Sequence, residues 1–249
     1  MSKGIRTLLC LVLVAVASAS QANEGRLIDP EHYRAAQLRA VGHPNELSRW
    51  NGMWAYDNGQ PEQAKAHFER AAYFGDTLSQ HFLTLMYWTG DGVDRDPVLA
   101  YVWSDLAAEG GRLDQLVALR EDLWNSLSTD QQSQARETGR TYYAKYGQAV
   151  TSKRLDPELP RPARNQTASR LGQNVSRLEV GLGSSGAWGS QGRPSYDASQ
   201  MSGTQFYSPE RTNHSSYREA ETASLRELIR RAGTVGVGPV EPVDAASGQ

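Results

Sequence analysis

The chain has 249 residues, 39% hydrophobic and 22% charged, with a formal net charge of -2 and a single cysteine. That length accommodates one or two domains. One thiol excludes an internal disulfide framework, and the slight excess of acids excludes a basic nucleic-acid binder by bulk charge. The mean hydropathy of -0.59 is low for a fully packed globule, so the averages join an apolar part to a polar one.

Residues 1–22 carry the three-part pattern of a secretory signal peptide. Lys3 and Arg6 come first, an apolar run from Leu8 to Val16 follows, and the small residues Ala17, Ala19, Ser20 and Ala22 close it. The run is shorter than the roughly 20 residues that span a bilayer, so cleavage after Ala19 or Ala22 is expected rather than a retained anchor. No later segment is long enough to span. Removing Lys3, Arg6 and no acid leaves 24 basic residues against 28 acidic ones, a net charge of -4. Cleavage also removes Cys10, which excludes thiol nucleophiles, cysteine-ligated zinc and iron–sulfur clusters from the mature chain. The expected location is exported, periplasmic or secreted.

From Asp29 to Gly147 the punctuation is helical. Asp29-Pro30 sets an N-cap before a proline at the first helical position, where the missing N–H costs nothing. It opens a capping helix within 23–43, closed by Gly42. His43-Pro44 opens the next helix, ended by Gly59. Pro61 opens a third, ended by Gly75, and a fourth ends at Gly90. Asp96-Pro97 opens a fifth that runs to Gly110-Gly111. Ser128, with Gln131 three residues on, makes a capping box for a last helix stopped by Gly147. Apolar spacing supports these segments: Ala64, Phe68, Ala71 and Ala72 form one stripe, Leu78, Phe82, Leu85 and Met86 a second, and Leu116, Leu119, Leu123 and Leu127 a third.

Beyond residue 150 the composition changes. Pro157, Pro160 and Pro162 interrupt any helix, and Gly and Ser crowd the stretch from Gly181 to Ser208. Such a segment buries too little apolar surface to offset its ordering entropy, so 151–249 is expected to be a mostly disordered tail. One helix stands out near 216–232. Ser216 and Glu219 form a capping box ahead of Tyr217, Ala220, Leu225, Leu228 and Ile229, with Gly233 just past the end. It is either a transient helix or a docking helix that folds on a groove, its own or a partner's.

An internal repeat organises residues 44–111. Pro61 matches Pro97, Ala64 matches Ala100, Ala71-Ala72 match Ala107-Ala108 and Gly75 matches Gly111, all 36 residues apart. Tyr56 and Gly59 match Tyr87 and Gly90, so the second copy carries five extra residues in its loop around Gly92-Val93-Asp94. The second copy, with Gln80, Leu83, Tyr87, Gly90, Gly92, Val93, Asp96, Ala100, Trp103, Ala107, Ala108 and Gly111 in order, resembles the Sel-one-like repeats, relatives of the tetratricopeptide repeats. It departs from them at Ser79, Thr84 and Leu99. The first copy lacks the Gly-x-Gly-Val loop and is closer to a plain tetratricopeptide repeat. The resemblance implies an all-α, short α-solenoid of antiparallel helix pairs, with capping helices over 112–149 and structural roles for the motif residues. Because about three repeats normally close such a core, end caps or a stacked second chain, a homo-oligomer, are expected.

Chemistry-bearing patterns are sparse. His32, His43, His67, His81 and His214 show no zinc-protease spacing, and His67 occupies the position of Trp103, which favours packing. Only His81 stands as a surface candidate. Gly183-Ser184-Ser185-Gly186 lacks the lysine and helix of a phosphate loop. Asp91 and Asp94 lack the further acids of a calcium loop and read as a polar turn. Asn165, Asn174 and Asn213 start glycosylation sequons that arise readily in a Ser-rich tail. No nucleophile, base and orienter assemble, so neither an enzyme nor a cofactor or metal site is expected.

Trp50, Trp54, Trp88, Trp103 and Trp124 all fall within the helical part. The first helices of the pairs line the concave face in this architecture. The expected groove is therefore lined by Asn51, Trp54, His81, Thr84 and Trp88, and it binds a protein or peptide rather than nucleic acid. The expected function is an exported helical-repeat adaptor. The alternative is an assembly or secretion component whose tail is the binding element and whose repeats oligomerise.

Overall fold

A computed structural model of the chain describes residues 28–109, 113–160 and 203–232. The expected leader with Cys10, the motif residue Gly111, Asn165, Asn174 and Gly183–Gly186 lie outside the described residues, as do the side chains of Leu228 and Ile229. Among the described residues the chain is all-helical: α1 (Pro30–Arg39), α2 (Pro44–Asp57), α3 (Pro61–Tyr73), α4 (Thr77–Thr89), α5 (Pro97–Ala107), α6 (Asp114–Ser126), α7 (Thr129–Tyr146), α8 (Gln148–Leu155), α9 (Gly203–Phe206), α10 (Pro209–Thr212) and α11 (His214–Ala232). None of these helices is long and apolar enough to cross a membrane.

The helix starts follow local chemistry. The Asp76 side chain accepts from the Ser79 N–H at 2.8 Å to begin α4, and Asp96 accepts from Leu99 N–H at 3.0 Å to begin α5. Ser128 and Gln131 exchange both bonds of a capping box. Gly42, Gly59, Gly75 and Gly90 all take positive φ just past helix ends.

Helix α2 packs along α3 and α4 along α5, each pair joined by a short loop, while α3 lies on α4 and α5 lies on both α6 and α7. Two glycines permit the close approaches. Gly52 faces the Phe68 ring, and a Cβ there would sit 2.6 Å from two ring carbons. Gly92, at φ 75°, lets the α4–α5 loop rest against Pro61; a Cβ would lie 2.1 Å from the proline Cβ. The five-residue insertion thus ties the second hairpin to the first. Asp91 in that loop accepts a hydrogen bond from the Tyr56 hydroxyl, which accounts for it as a structural turn residue.

The core runs through α2 to α5 and ends under α7. Phe68 and Phe82 stack at 4.8 Å, and Trp103 meets Tyr146 at 4.7 Å and Tyr142 edge-on at 5.3 Å. Ala64, Ala71, Ala72 and Ala100 are fully buried, which brings neighbouring helix backbones close. Tyr87, Ala107 and Ala108 are buried as well, and Val93 packs against the core edge.

The structure differs from the sequence reading in three places. Residues 203–212, expected to be disordered, form α9 and α10 with Phe206 buried. Helix α8 crosses the boundary drawn at residue 150, with Thr151 and Leu155 buried. Gly147 does end α7, but at φ -66° it also serves as the N-cap of α8, so the chain continues in a new helix. The tail helix starts at His214 rather than at a Ser216 cap, because the Asn213 side chain accepts from the Ser215 and Ser216 N–H groups at 3.1 and 3.3 Å.

Candidate functional site

The tail helix α11 lies in a groove of its own chain. Tyr217, Glu221 and Leu225 recur every four residues and so form one stripe. Each meets a different part of the body. Tyr217, 3% exposed, clusters with Leu155 and Leu159, with Phe74 alongside. Leu225 packs against the cluster of Ala107, Ala108, Leu113 and Leu116. Between them Glu221 reaches the Arg49 guanidinium at 2.7 Å.

A polar network surrounds these contacts. Asn45 donates to the Tyr217 hydroxyl at 2.7 Å, and that hydroxyl donates to Glu46 at 2.9 Å. The His43 ring lies 5.1 Å from the Tyr217 ring and bonds the Arg211 carbonyl at 2.8 Å. Arg211 in turn donates to the Arg39 carbonyl and lies 3.0 Å from His43 Nδ1. Arg218 donates to Ser152 at 3.4 Å. The elements bridged in this way are α1, α2, α8 and the tail.

Arg49 is the electrostatic centre. Its Nη1 lies 2.8 Å from the Asp76 carboxylate and 2.7 Å from Glu221. Asp76 is completely buried on its side chain, so burial raises its carboxyl above the usual range although Arg49 pulls the other way. Burial opposes the charge on Arg49, but Asp76 and Glu221 outweigh it and keep the guanidinium firmly protonated. Burial likewise pushes the Tyr217 hydroxyl well above its ordinary value, with Glu221 and Glu46 adding to the effect. The His43 ring is pushed down, chiefly by burial.

Beside the seated helix lies a cavity of about 220 Å³. Its apolar wall includes Trp50 and Met53 of α2, Leu78 of α4, Leu113 and Leu225, and Thr222 lines it from α11. A shallower hollow between α5 and α6, lined by Tyr101, Asp105 and Trp124, has its carboxylate bonded to the Tyr143 hydroxyl at 3.0 Å. Among the described residues no three His, Cys, Asp or Glu side chains gather to hold a metal ion.

The five groove residues expected from the sequence are not brought together here. Asn51 accepts from the Tyr33 hydroxyl at 2.8 Å and from Gln37 at 3.1 Å, and Trp54 stacks on Tyr33 at 4.5 Å; α1 covers both. Thr84 is 1% exposed and donates to the Gln80 carbonyl, so it belongs to the core rather than to a surface. His81 is partly buried with an unpartnered Nδ1, and desolvation pushes its ring down to about 4. Trp88 lies partly buried with Arg95 over its ring at 5.2 Å. Helix α2 does line the groove, but through the face of Asn45, Arg49, Trp50 and Met53. Two signals point to that face: an arginine beside the apolar Trp50 and Met53, and a tail stripe whose carboxylate complements it. No protein-family model matches the chain, and a search of the curated proteins and of the solved structures finds no match either.

Proposed function

We propose that the chain is an exported, non-catalytic helical-repeat adaptor that binds a segment of another protein in the groove between α2, the start of α4, the end of α5 and α8. The repeat offsets support reading the helix pairs as a short solenoid of the Sel-one-like kind, and the leader pattern supports export. The observation that carries the binding role is that the groove holds an amphipathic helix through buried Tyr217, the Leu225 contact and the Arg49–Glu221 ion pair. A surface shaped to seat a helix is an interaction surface by construction. The titratable groups in it serve the seating: Arg49 is paired twice, and Glu46 accepts from Tyr217. The reading in which the tail alone is the binding element is weaker, because Tyr217 and Leu225 of α11 pack against the body.

Photo-crosslinking in the native cell envelope tests this. A photoreactive residue at Trp50 is expected to give a discrete protein adduct, and one at the exposed Glu137 none. Equal adducts at both positions, or none at Trp50, contradict the groove assignment. A mature N-terminus at residue 20 or 23, read by mass spectrometry, checks the export part.

A further inference from the structure

We infer that this groove accepts, from another protein, an amphipathic helix carrying a tyrosine, a carboxylate four residues on and an apolar residue eight on, and that α11 is its displaceable internal occupant. The inference rests on the adaptor reading of the same groove and adds the chemistry of the partner. Three observations carry it.

First, the groove has distinct seats with fixed spacing. Tyr217 meets Asn45 and Glu46, Glu221 meets Arg49, and Leu225 meets the Ala107, Ala108, Leu113 and Leu116 cluster. A helix presents groups four residues apart on one face at roughly 6 Å intervals, the arrangement α11 shows in these seats.

Second, the docking of α11 is light. Of the side chains described between 204 and 227, only Phe206 and Tyr217 are fully buried, while Ser215, Glu219, Ala223, Ser224 and Arg226 are exposed. The other contacts of α11 are made by partly exposed side chains: Leu225 on its apolar cluster, Glu221 on Arg49, Arg218 on Ser152 and His214 beside Asp156. Arg49 keeps Asp76 when Glu221 leaves, so the departing helix uncovers a cation set for an incoming carboxylate.

Third, a cavity of about 220 Å³ lies beside the seated helix, lined by Thr222 of α11 and by Trp50, Met53 and Leu78 of the body. A helix with a larger apolar side chain at that position gains contacts α11 cannot make. A second copy of this chain brings the same threonine and leaves the same void, which favours a different protein as the occupant.

The test uses the full chain and fluorescent peptides copying residues 213–232. Two hosts release the tail: Tyr217→Ala, which removes the anchor, and Glu221→Ala, which leaves Asp76 on Arg49 and the body core untouched. Proteolysis of the tail reports release, and circular dichroism reports the fold. A docked tail that leaves one groove in ten open weakens apparent affinity tenfold. The peptide with Thr222→Leu is therefore expected to bind the released hosts at least tenfold more tightly than the unaltered chain, and more tightly than the unmodified peptide. Ala223→Leu, on the exposed face, is expected to add nothing, and a Glu221→Lys peptide to lose binding.

Equal affinity for released and unaltered chains overturns the inference. So does absence of binding to hosts whose tails are cut faster, and so does a tail that stays protected in both hosts, because Tyr217 and Glu221 then do not hold it. If the peptides fail while Trp50 still crosslinks a protein, the adaptor reading stands and the helix rule alone falls.

Discussion

Arg49 shows how one residue can join three distant parts of a chain. Its guanidinium lies against Asp76, the N-cap of α4, and against Glu221 of the tail. Removing it leaves the Asp76 carboxylate fully buried without its countercharge. Breaking a buried pair from one side costs about 3–5 kcal/mol, so Arg49→Ala is expected to lower the unfolding free energy measured in urea by that much. Tyr217→Phe is a milder change. It deletes only the hydroxyl that bonds Asn45 and Glu46, leaving two buried polar groups short of a partner, at about 1–3 kcal/mol. The loss is expected in the protection of the tail from protease more than in the melting of the body. His81 sets an acid limit. Its folded ring titrates at about 4 because burial disfavours the charge, whereas the unfolded ring takes a proton near 6.5. Stability from this group is complete above about pH 6.5 and falls as the pH drops towards 4, by up to about 3 kcal/mol. His43 has the same sign, and Asp76, with a raised carboxyl, has the opposite one. The His81 contribution is therefore read as the difference between the chain and His81→Phe in urea midpoints at pH 7.5 and 4.5. A His81→Phe chain that loses as much stability in acid as the parent contradicts it.

At the scale of elements, helix starts and stops were legible because their chemistry is local. Asp96 before Pro97, Ser128 before Gln131, and glycines at positive φ each act within a few residues of themselves. The motif residues were legible for a related reason: Ala100, Trp103 and Ala107 are buried where the repeat offsets put them. Helix α8 was not legible, since Gly147 stops one helix and caps another and Pro157 follows closely. What holds α8 is the burial of Thr151 and Leu155 against distant elements. The pairing of the groove face with the tail was harder to read: Asn45 and Tyr217 are 172 residues apart, so no local pattern joins them. The expected five residues sit on α2 and α4, but α1 covers Asn51 and Trp54 through Tyr33. Loop geometry gives a further prediction at this scale. Gly92→Ala places a methyl carbon inside the Pro61 contact and strains a positive φ, so the two hairpins must separate. A loss of about 1–3 kcal/mol is expected in thermal or urea unfolding, and an unchanged midpoint contradicts the role given to that loop.

At the largest scale the described residues form a helical body whose groove is closed by α11 of the same chain. Average composition hides this, because it counts Tyr217, Glu221 and Leu225 with a polar tail although structurally they belong to the body. Most helical stability comes from packing an amphipathic face rather than from intrinsic propensity, so the order of α11 depends on the groove. Its amides report the docking directly. Hydrogen exchange followed by mass spectrometry, comparing the chain with Tyr217→Ala, is the most direct measurement. The account predicts protection over 214–227 in the chain, loss of that protection in the variant, and unchanged protection in α2 to α5. Tail amides that exchange at unfolded rates in the unaltered chain, or that stay protected without Tyr217, contradict it.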